Sequence, residues 1–379
     1  MRLYLTALFY FIGNSFLVFS QDTIRYYSNL NVFTNAELKA AIDLYESYID
    51  EKSDGGNMDY RRFWEESEVN RYKIPDLASH YMLPKDHMAI MGLAKLDSNR
   101  FLLKTVGFMD RMTNEVPEIM YIYNYIVHKR NGSYRLGNYL DYIIEKDDYR
   151  PLDGSYGRYY GYNLSQKEAI DSLFSRVEEF FGTKFDQRFT IVNFPSSLTS
   201  LNSRGYDYFI GALNSKTTVS GLFNPDNNII YTTGIESIHV HEVLRSLHAL
   251  LPKSPIILRN GIANLCGGSL GMSIEENIRL IHPYLQKNAH ILKDLSNFYY
   301  YDDQVVPHAV FTAIVTNYYL KHFGTASFKK LMGTEEHTKI SIEDFLLKFC
   351  GVSDPSVFLM REMARYLEKN LEYSDLFKN

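Results

Sequence analysis

Three features of the 379-residue chain point to an α+β protein in two parts. An amphipathic helix stands near the start. Residues from about 100 to 142 are rich in β-branched and aromatic side chains and contain an Asn131-Gly132 turn. From residue 236 onward the apolar periodicity is that of helices almost to the end. At about 150 residues per domain the length fits two or three domains. Apolar residues make up 45% and charged residues 22%, which is enough to fill cores and too apolar for a disordered chain.

The opening segment reads as a signal peptide over residues 1–21. Met1-Arg2 gives a positive start, Leu3 to Phe19 is almost continuously apolar, and Ser20-Gln21-Asp22 turns polar after a small residue. That run is at the lower edge of spanning length, so an uncleaved anchor stays open beside the cleaved signal. No second apolar stretch approaches spanning length. The mature chain is therefore expected to be secreted or periplasmic, with no membrane span. The net charge of the full chain, −5, is spread without long runs of one sign, which argues against a nucleic-acid partner.

Residues 22–153 read as a small α+β module. Thr34 and Glu37 have capping-box spacing, and Leu38, Ile42, Tyr45 and Ile49 mark the apolar face of the helix that follows. Gly55-Gly56 follow its expected end. Residues 58–73 show no clear period. Glu118 to His128 is a strand, Asn131-Gly132 the hairpin turn, and Ser133 to Tyr142 the returning strand.

The glycine-rich run Gly154 to Gly161 is the expected boundary, and residues 154–379 form the second domain. Ser165 and Glu168 form a second capping box; Ile170, Leu173, Phe174, Val177 and Phe181 line one face, and Gly182 ends the helix. Strands are expected at 189–194, 206–213 and 229–233. Helices are expected near 236–251, 274–288, 305–322, 342–350 and 355–370, with Ser273 and Glu276 capping the second of these.

The chemistry-bearing stretch is His239-Val-His241-Glu242-Val-Leu-Arg245, placed after the strand at Ile229 to Thr233. A second helix with Asn260-Gly261-Ile262-Ala263 follows it. Zinc hydrolases of the H-E-x-x-H type set two His one turn apart so that both imidazoles reach one ion, with the Glu acting on the bound water. Here the first His and the Glu are present, and Arg245 stands where the second His belongs.

The order strand, His-Glu helix, Gly-Ile-Ala helix, together with Tyr318 to Leu331 downstream, resembles the gluzincin, or peptidase MA-like, zinc metallopeptidase domain. The resemblance covers roughly residues 160–335. It implies a thermolysin-like domain with a small sheet and a mainly helical C-terminal part. It also implies that His241 matches the first zinc ligand and Glu242 the general base. Arg245 then falls on the second ligand and Asn260 on the third. A guanidinium does not coordinate metal, and an amide oxygen is a feeble zinc ligand beside a carboxylate. Two of three ligands are lost, so His241 and Glu242 are expected to be vestigial and no zinc is expected. Arg245 is expected to pair with Glu242 on the same helix instead.

Alternatives remain open. His239 or His308 could complete a repaired zinc site with His241, which would make the chain an active metallopeptidase with a non-standard ligand set. Gly267-Gly-Ser269-Leu-Gly271 fits the G-x-S-x-G pattern of a serine-hydrolase elbow, although no strand run precedes Ser269, and a glycine-rich helix exit suits the sequence better. Cys266 and Cys350 allow at most one disulfide. The function expected is that of an exported, non-catalytic peptidase-like protein that binds a polypeptide or a cell-surface component.

Overall fold

A computed structural model of the chain describes residues 25–26, 36–53, 58–78, 87–109, 118–210, 221–234, 239–293, 295, 305–335, 338–369 and 376–377. The expected signal segment, Thr34 and Gly55-Gly56 lie outside these. The protein is a mixed α+β chain that divides into two compact units. One runs to Asp148 and regains the chain at Leu201 through the strand Tyr206–Phe209; the other holds Tyr149 to Ser200 and the described residues from Gly221 onward.

In the first unit, helix α1 (Ala36–Ser53) buries Ala41, Ile42, Tyr45, Tyr48 and Ile49. They share a core with Phe101, Leu103, Tyr123, Tyr125 and Val127 of the sheet. The sheet follows chain order from β1 (Arg25–Tyr26) through β2 (Met88–Lys95), β3 (Arg100–Met109) and β4 (Glu118–Arg130) to β5 (Ser133–Asn138). β2 escaped the sequence reading because Met-Ala-Ile-Met-Gly-Leu-Ala-Lys is poor in β-branched residues. At the hairpin tip Asn131 and Gly132 have φ of 50° and 79°, as a two-residue turn of the primed type requires.

Two expectations are corrected in this unit. The strand after the hairpin ends at Asn138 rather than Tyr142, because Asn138 is captured by Glu68. The Asn138 backbone N–H donates to that carboxylate at 2.9 Å and its amide at 2.5 Å. The chain then turns into the short helix Tyr139–Lys146. The strand expected at 206–213 is Tyr206–Phe209, and it belongs to this sheet and not to the second domain. β4 is longer than β5, which pairs with it only from Tyr125 onward, so the edge at Tyr121–Tyr123 is left for the returning segment. Tyr206 packs edge-on against Tyr123 at 4.8 Å. Asn124 donates to Asp207 at 2.8 Å, and Lys104 ion-pairs with the same carboxylate.

The second unit contains a five-stranded sheet. In spatial order it is β9 (Gly221–Asn224), β10 (Ile229–Thr233), β8 (Phe189–Phe194), β7 (Gly157–Gly161) and β6 (Leu152–Asp153). The three central strands are parallel and the two outer pairings antiparallel. The glycine-rich run expected as a boundary is thus strand β7. Its glycines serve close approach: a Cβ on Gly157 would overlap the Phe189 carbonyl, and one on Gly161 the Asn193 carbonyl.

Helix Lys167–Phe181 starts after Ser165, whose N–H donates to Asn163 Oδ1 at 2.9 Å, so the expected Ser165–Glu168 box does not form. Gly182 ends this helix at φ 67°. Ile170, Leu173, Phe174 and Val177 of its apolar face enter one core with the sheet and the helices that follow.

With Glu66–Arg71, Tyr139–Lys146, Lys167–Phe181 and Ser197–Ser203 as α2, α3, α4 and α5, the helices that follow are α6 (Val240–Arg245), α7 (Leu247–Leu250), α8 (Ile256–Gly267), α9 (Ile274–Lys287), α10 (Pro307–Met332), α11 (Ile342–Cys350) and α12 (Pro355–Lys369). The helix expected at 236–251 is broken at Ser246, whose hydroxyl donates back to the Val243 carbonyl. α10 runs on past 322 and is interrupted at Gly324, which has φ 78°. α9 carries the full Ser273–Glu276 capping box. No described helix is long and apolar enough to cross a membrane.

The first unit buries an acidic pair. Glu68 is held well above its ordinary carboxylate range, chiefly by burial and then by the charge of Asp141. Burial also raises Asp141, against the pull of Arg71, which bonds it at 2.5 Å. A carboxyl raised in the fold contributes stability that is complete below its unfolded pKa of about 4.3 and is lost as pH rises through the folded value. Glu68→Gln removes the charge and keeps an acceptor. Its melting temperature relative to wild type should therefore climb as pH rises from about 4.5 to 8. A pH-independent difference in paired thermal melts would contradict this assignment.

Candidate functional site

The site is built where α6 meets β9 and the end of α8. His239 precedes α6, and its Nε2 lies 2.6 Å from the Thr233 carbonyl and 3.1 Å from the Thr233 N–H. The ring therefore fastens the start of the helix to the end of β10.

His241, on the first turn of α6, points the other way. Its Nδ1–H donates to the Gly268 carbonyl at 2.8 Å, which in the neutral ring leaves Nε2 as the lone-pair nitrogen. Burial holds the ring below its ordinary pKa; the Glu242 charge opposes this and the Arg245 charge reinforces it. Gly267 has no side chain because a Cβ there would overlap the His241 backbone. Glu242 is half-buried and its Cγ packs on Gly221 of β9, where any Cβ would collide with it. The carboxylate is thus carried beside the outer strand of the sheet.

Arg245 is exposed at the end of α6. The expected ion pair with Glu242 is absent: both residues are described, and no contact within salt-bridge distance joins them. With Arg245 exposed at the end of a helix of only six residues, a three-residue spacing returns a few tenths of a kcal/mol, less than hydration offers the guanidinium.

Asn260 is half-buried on α8 between Arg259 and Gly261. Gly261 allows α8 to cross α10 closely, since a Cβ there would strike Thr312 and Thr316. Asn264 strengthens this crossing by donating to Thr312 Oγ1 at 3.0 Å. His308 stands on the first turn of α10; burial lowers its pKa, and the charge of Glu343 on α11 opposes the shift. Among the described residues no three His, Cys, Asp or Glu side chains converge as a metal site. The donors at the three matched positions are one imidazole, one amide and one guanidinium, a set that does not fit zinc.

Ser269 follows helix α8 rather than a strand and starts a tight turn. Its N–H donates to the Met272 carbonyl at 2.9 Å and Met272 N–H returns to its carbonyl at 3.1 Å. Leu270 and Gly271 have φ of 53° and 78°. This is a glycine-rich helix exit without the strand that an elbow needs. Cys266 and Cys350 are free thiols, and burial pushes Cys350 up to about 12, which makes it unreactive.

A polar cleft of ≈ 400 Å³ in the first unit, lined in part by Arg100, His128, Lys129, Arg130 and Glu145, was not foreseen from sequence. Its cations are already matched. Arg100 pairs with Asp97 and Glu145, Lys129 with Glu37, and Arg130 with Glu65. Burial, then the Arg130 and Arg100 charges, bring His128 down to about 4, so it is neutral there at pH 7.

No family model matches the chain, and no curated protein matches it.

The Gly268 backbone, at φ 72°, carries both the turn and the His241 acceptor, and a Cβ on it would overlap the Met272 carbonyl. Gly268→Ala should cost about 2–4 kcal/mol in denaturant melts, whereas Ser269→Ala, whose turn bonds are all main-chain, should stay within about 0.5 kcal/mol of wild type. Equal stabilities for the two variants would contradict the turn geometry.

Proposed function

We propose that the chain is an exported, non-catalytic relative of the gluzincin peptidases that uses the former substrate cleft to bind a polypeptide or a cell-surface component. Residues 1–21 act as its export signal. One observation carries the reading: the helix bearing His241 and Glu242 follows a parallel strand, sets Glu242 beside the outer strand β9, and docks His241 through Nδ1 onto the next helix, while the two remaining ligand positions hold Arg245 and Asn260. A metal-binding imidazole is held by a carbonyl on its other nitrogen in this way. What has changed is the chemistry of the donors around it, which removes the ion and with it the activated water.

The thermolysin-like assignment of residues 154–379, less the segment that returns to the first sheet through Tyr206–Phe209, is supported by the same order of elements, with Gly261 at the close crossing of α8 and α10. Restoring the donors tests it directly. Arg245→His combined with Asn260→Glu should convert a chain that binds no zinc into one that retains about one ion after dialysis, read by elemental mass spectrometry. A folded double variant that takes up no zinc overturns the placement of the site.

A further inference from the structure

The polar cleft of the first unit is walled by charged side chains that hold one another in place. It lies between the β2–β3 turn at 97–99, the adjoining ends of β3 and β4, and Glu145 near the end of α3. The Arg100 guanidinium donates through Nε to Asp97 at 2.6 Å and through Nη1 to Glu145 at 2.9 Å, and it lies over the Tyr142 ring at 5.2 Å. Asp97 also accepts from the Asn99 N–H at 2.8 Å, and the Asn99 carbonyl accepts from the Lys129 N–H at 2.7 Å, which fixes the turn to β4. The Lys129 ammonium is held by Glu37, and Arg130 reaches the buried Glu65 at 3.2 Å. The His128 ring, also in the wall, lies over β5, where a Cβ on Gly137 would stand 2.6 Å from its Nε2.

Side chains pinned in this way keep donors and acceptors in position before a ligand arrives, which lowers the ordering cost of binding. Their pairing also selects the ligand. An anion would have to draw Arg100 from two carboxylates, Lys129 from Glu37 or Arg130 from Glu65, and a cation would have to do the reverse. A neutral polyhydroxyl compound meets no such competition. Each hydroxyl can donate to a carboxylate and accept from an N–H, so neighbouring hydroxyls bridge a carboxylate and its cation while the pair stays intact. The volume of ≈ 400 Å³ lies within the range of small-ligand sites, and charged walls suit a polar occupant. We propose that this cleft binds a neutral mono- or disaccharide, with Asp97, Arg100 and Glu145 hydrogen-bonding adjacent ring hydroxyls. The site belongs to the first unit and involves neither α6 nor α8.

The test uses the mature chain, residues 22–379, labelled with ¹⁵N, and follows the Arg100 Nε–Hε and His128 ring signals, assigned with Arg100→Lys and His128→Gln. The methyl glycosides of glucose, galactose, mannose and N-acetylglucosamine are titrated, with inorganic phosphate and N-acetyl-Ala-Ala-Ala amide as the anionic and peptide controls. At least one glycoside should shift both signals saturably, with a Kd of about 10 mM or tighter. Arg100→Lys replaces the fork by a single ammonium, and Glu145→Gln removes the charge of a side chain that is 69% exposed. Each should weaken the binding about tenfold, read at His128, with an unchanged circular dichroism spectrum. If Arg100→Lys does not fold, Glu145→Gln decides alone. No saturable shift with any glycoside, full affinity in both variants, or shifts with phosphate or the peptide alone overturns the sugar site. Zinc uptake by the Arg245→His, Asn260→Glu chain bears only on the peptidase-like reading, so the two fail separately.

Discussion

The contact on which the candidate site depends is the seat of α6 on the glycine exit of α8. Gly267 lets the His241 backbone approach closer than any side chain would allow, and Gly268 turns its carbonyl toward Nδ1 at 2.8 Å. The same backbone then reverses through Ser269–Met272 into the Ser273 cap of α9. The Asn277 amide gathers the carbonyls of Ser269, Met272 and Ser273 at 2.9–3.3 Å, so one polar side chain locks the turn from below. Three helices are thereby oriented by a pair of glycines and one asparagine. On the opposite side Gly221 does for Glu242 what Gly267 does for His241, giving the side chain room against the sheet edge.

Local signals were legible where one residue type meets one backbone need. The Asn131-Gly132 turn, the Gly182 helix end and the Ser273–Glu276 box all follow from the conformation that each residue adopts cheaply. The apolar face of α1 was legible because Ile42, Tyr45 and Ile49 recur at helical spacing. Long-range pairing was not. Nothing local in Tyr206–Phe209 says that it returns to β4, since the open edge exists only because β5 is shorter than its partner. Gly157 and Gly161 read as punctuation in sequence, yet they sit inside a parallel strand because the neighbouring backbone leaves no room for a Cβ. Ser165 failed as a cap for a related reason: Asn163 engages its N–H first and delays the helix.

In the candidate site the charges are arranged differently from the expectation. His241 and Glu242 are placed on one short helix, as the spacing implies. The expected Arg245–Glu242 pair assumed that a fixed charge seeks its nearest opposite on the same helix. On the surface hydration competes on nearly equal terms, and the exposed guanidinium stays in solvent. Arg259 drew no attention in the sequence, because burial of a cation against the carbonyls that end a neighbouring helix has no one-dimensional signature.

Metal content of the mature wild-type chain, residues 22–379, tests the central claim most directly. After dialysis against zinc and then against metal-free buffer, elemental mass spectrometry should find zinc far below one ion per folded chain. Near-stoichiometric zinc would contradict the account, because side chains other than Arg245 and Asn260 would then complete the ligand set around His241.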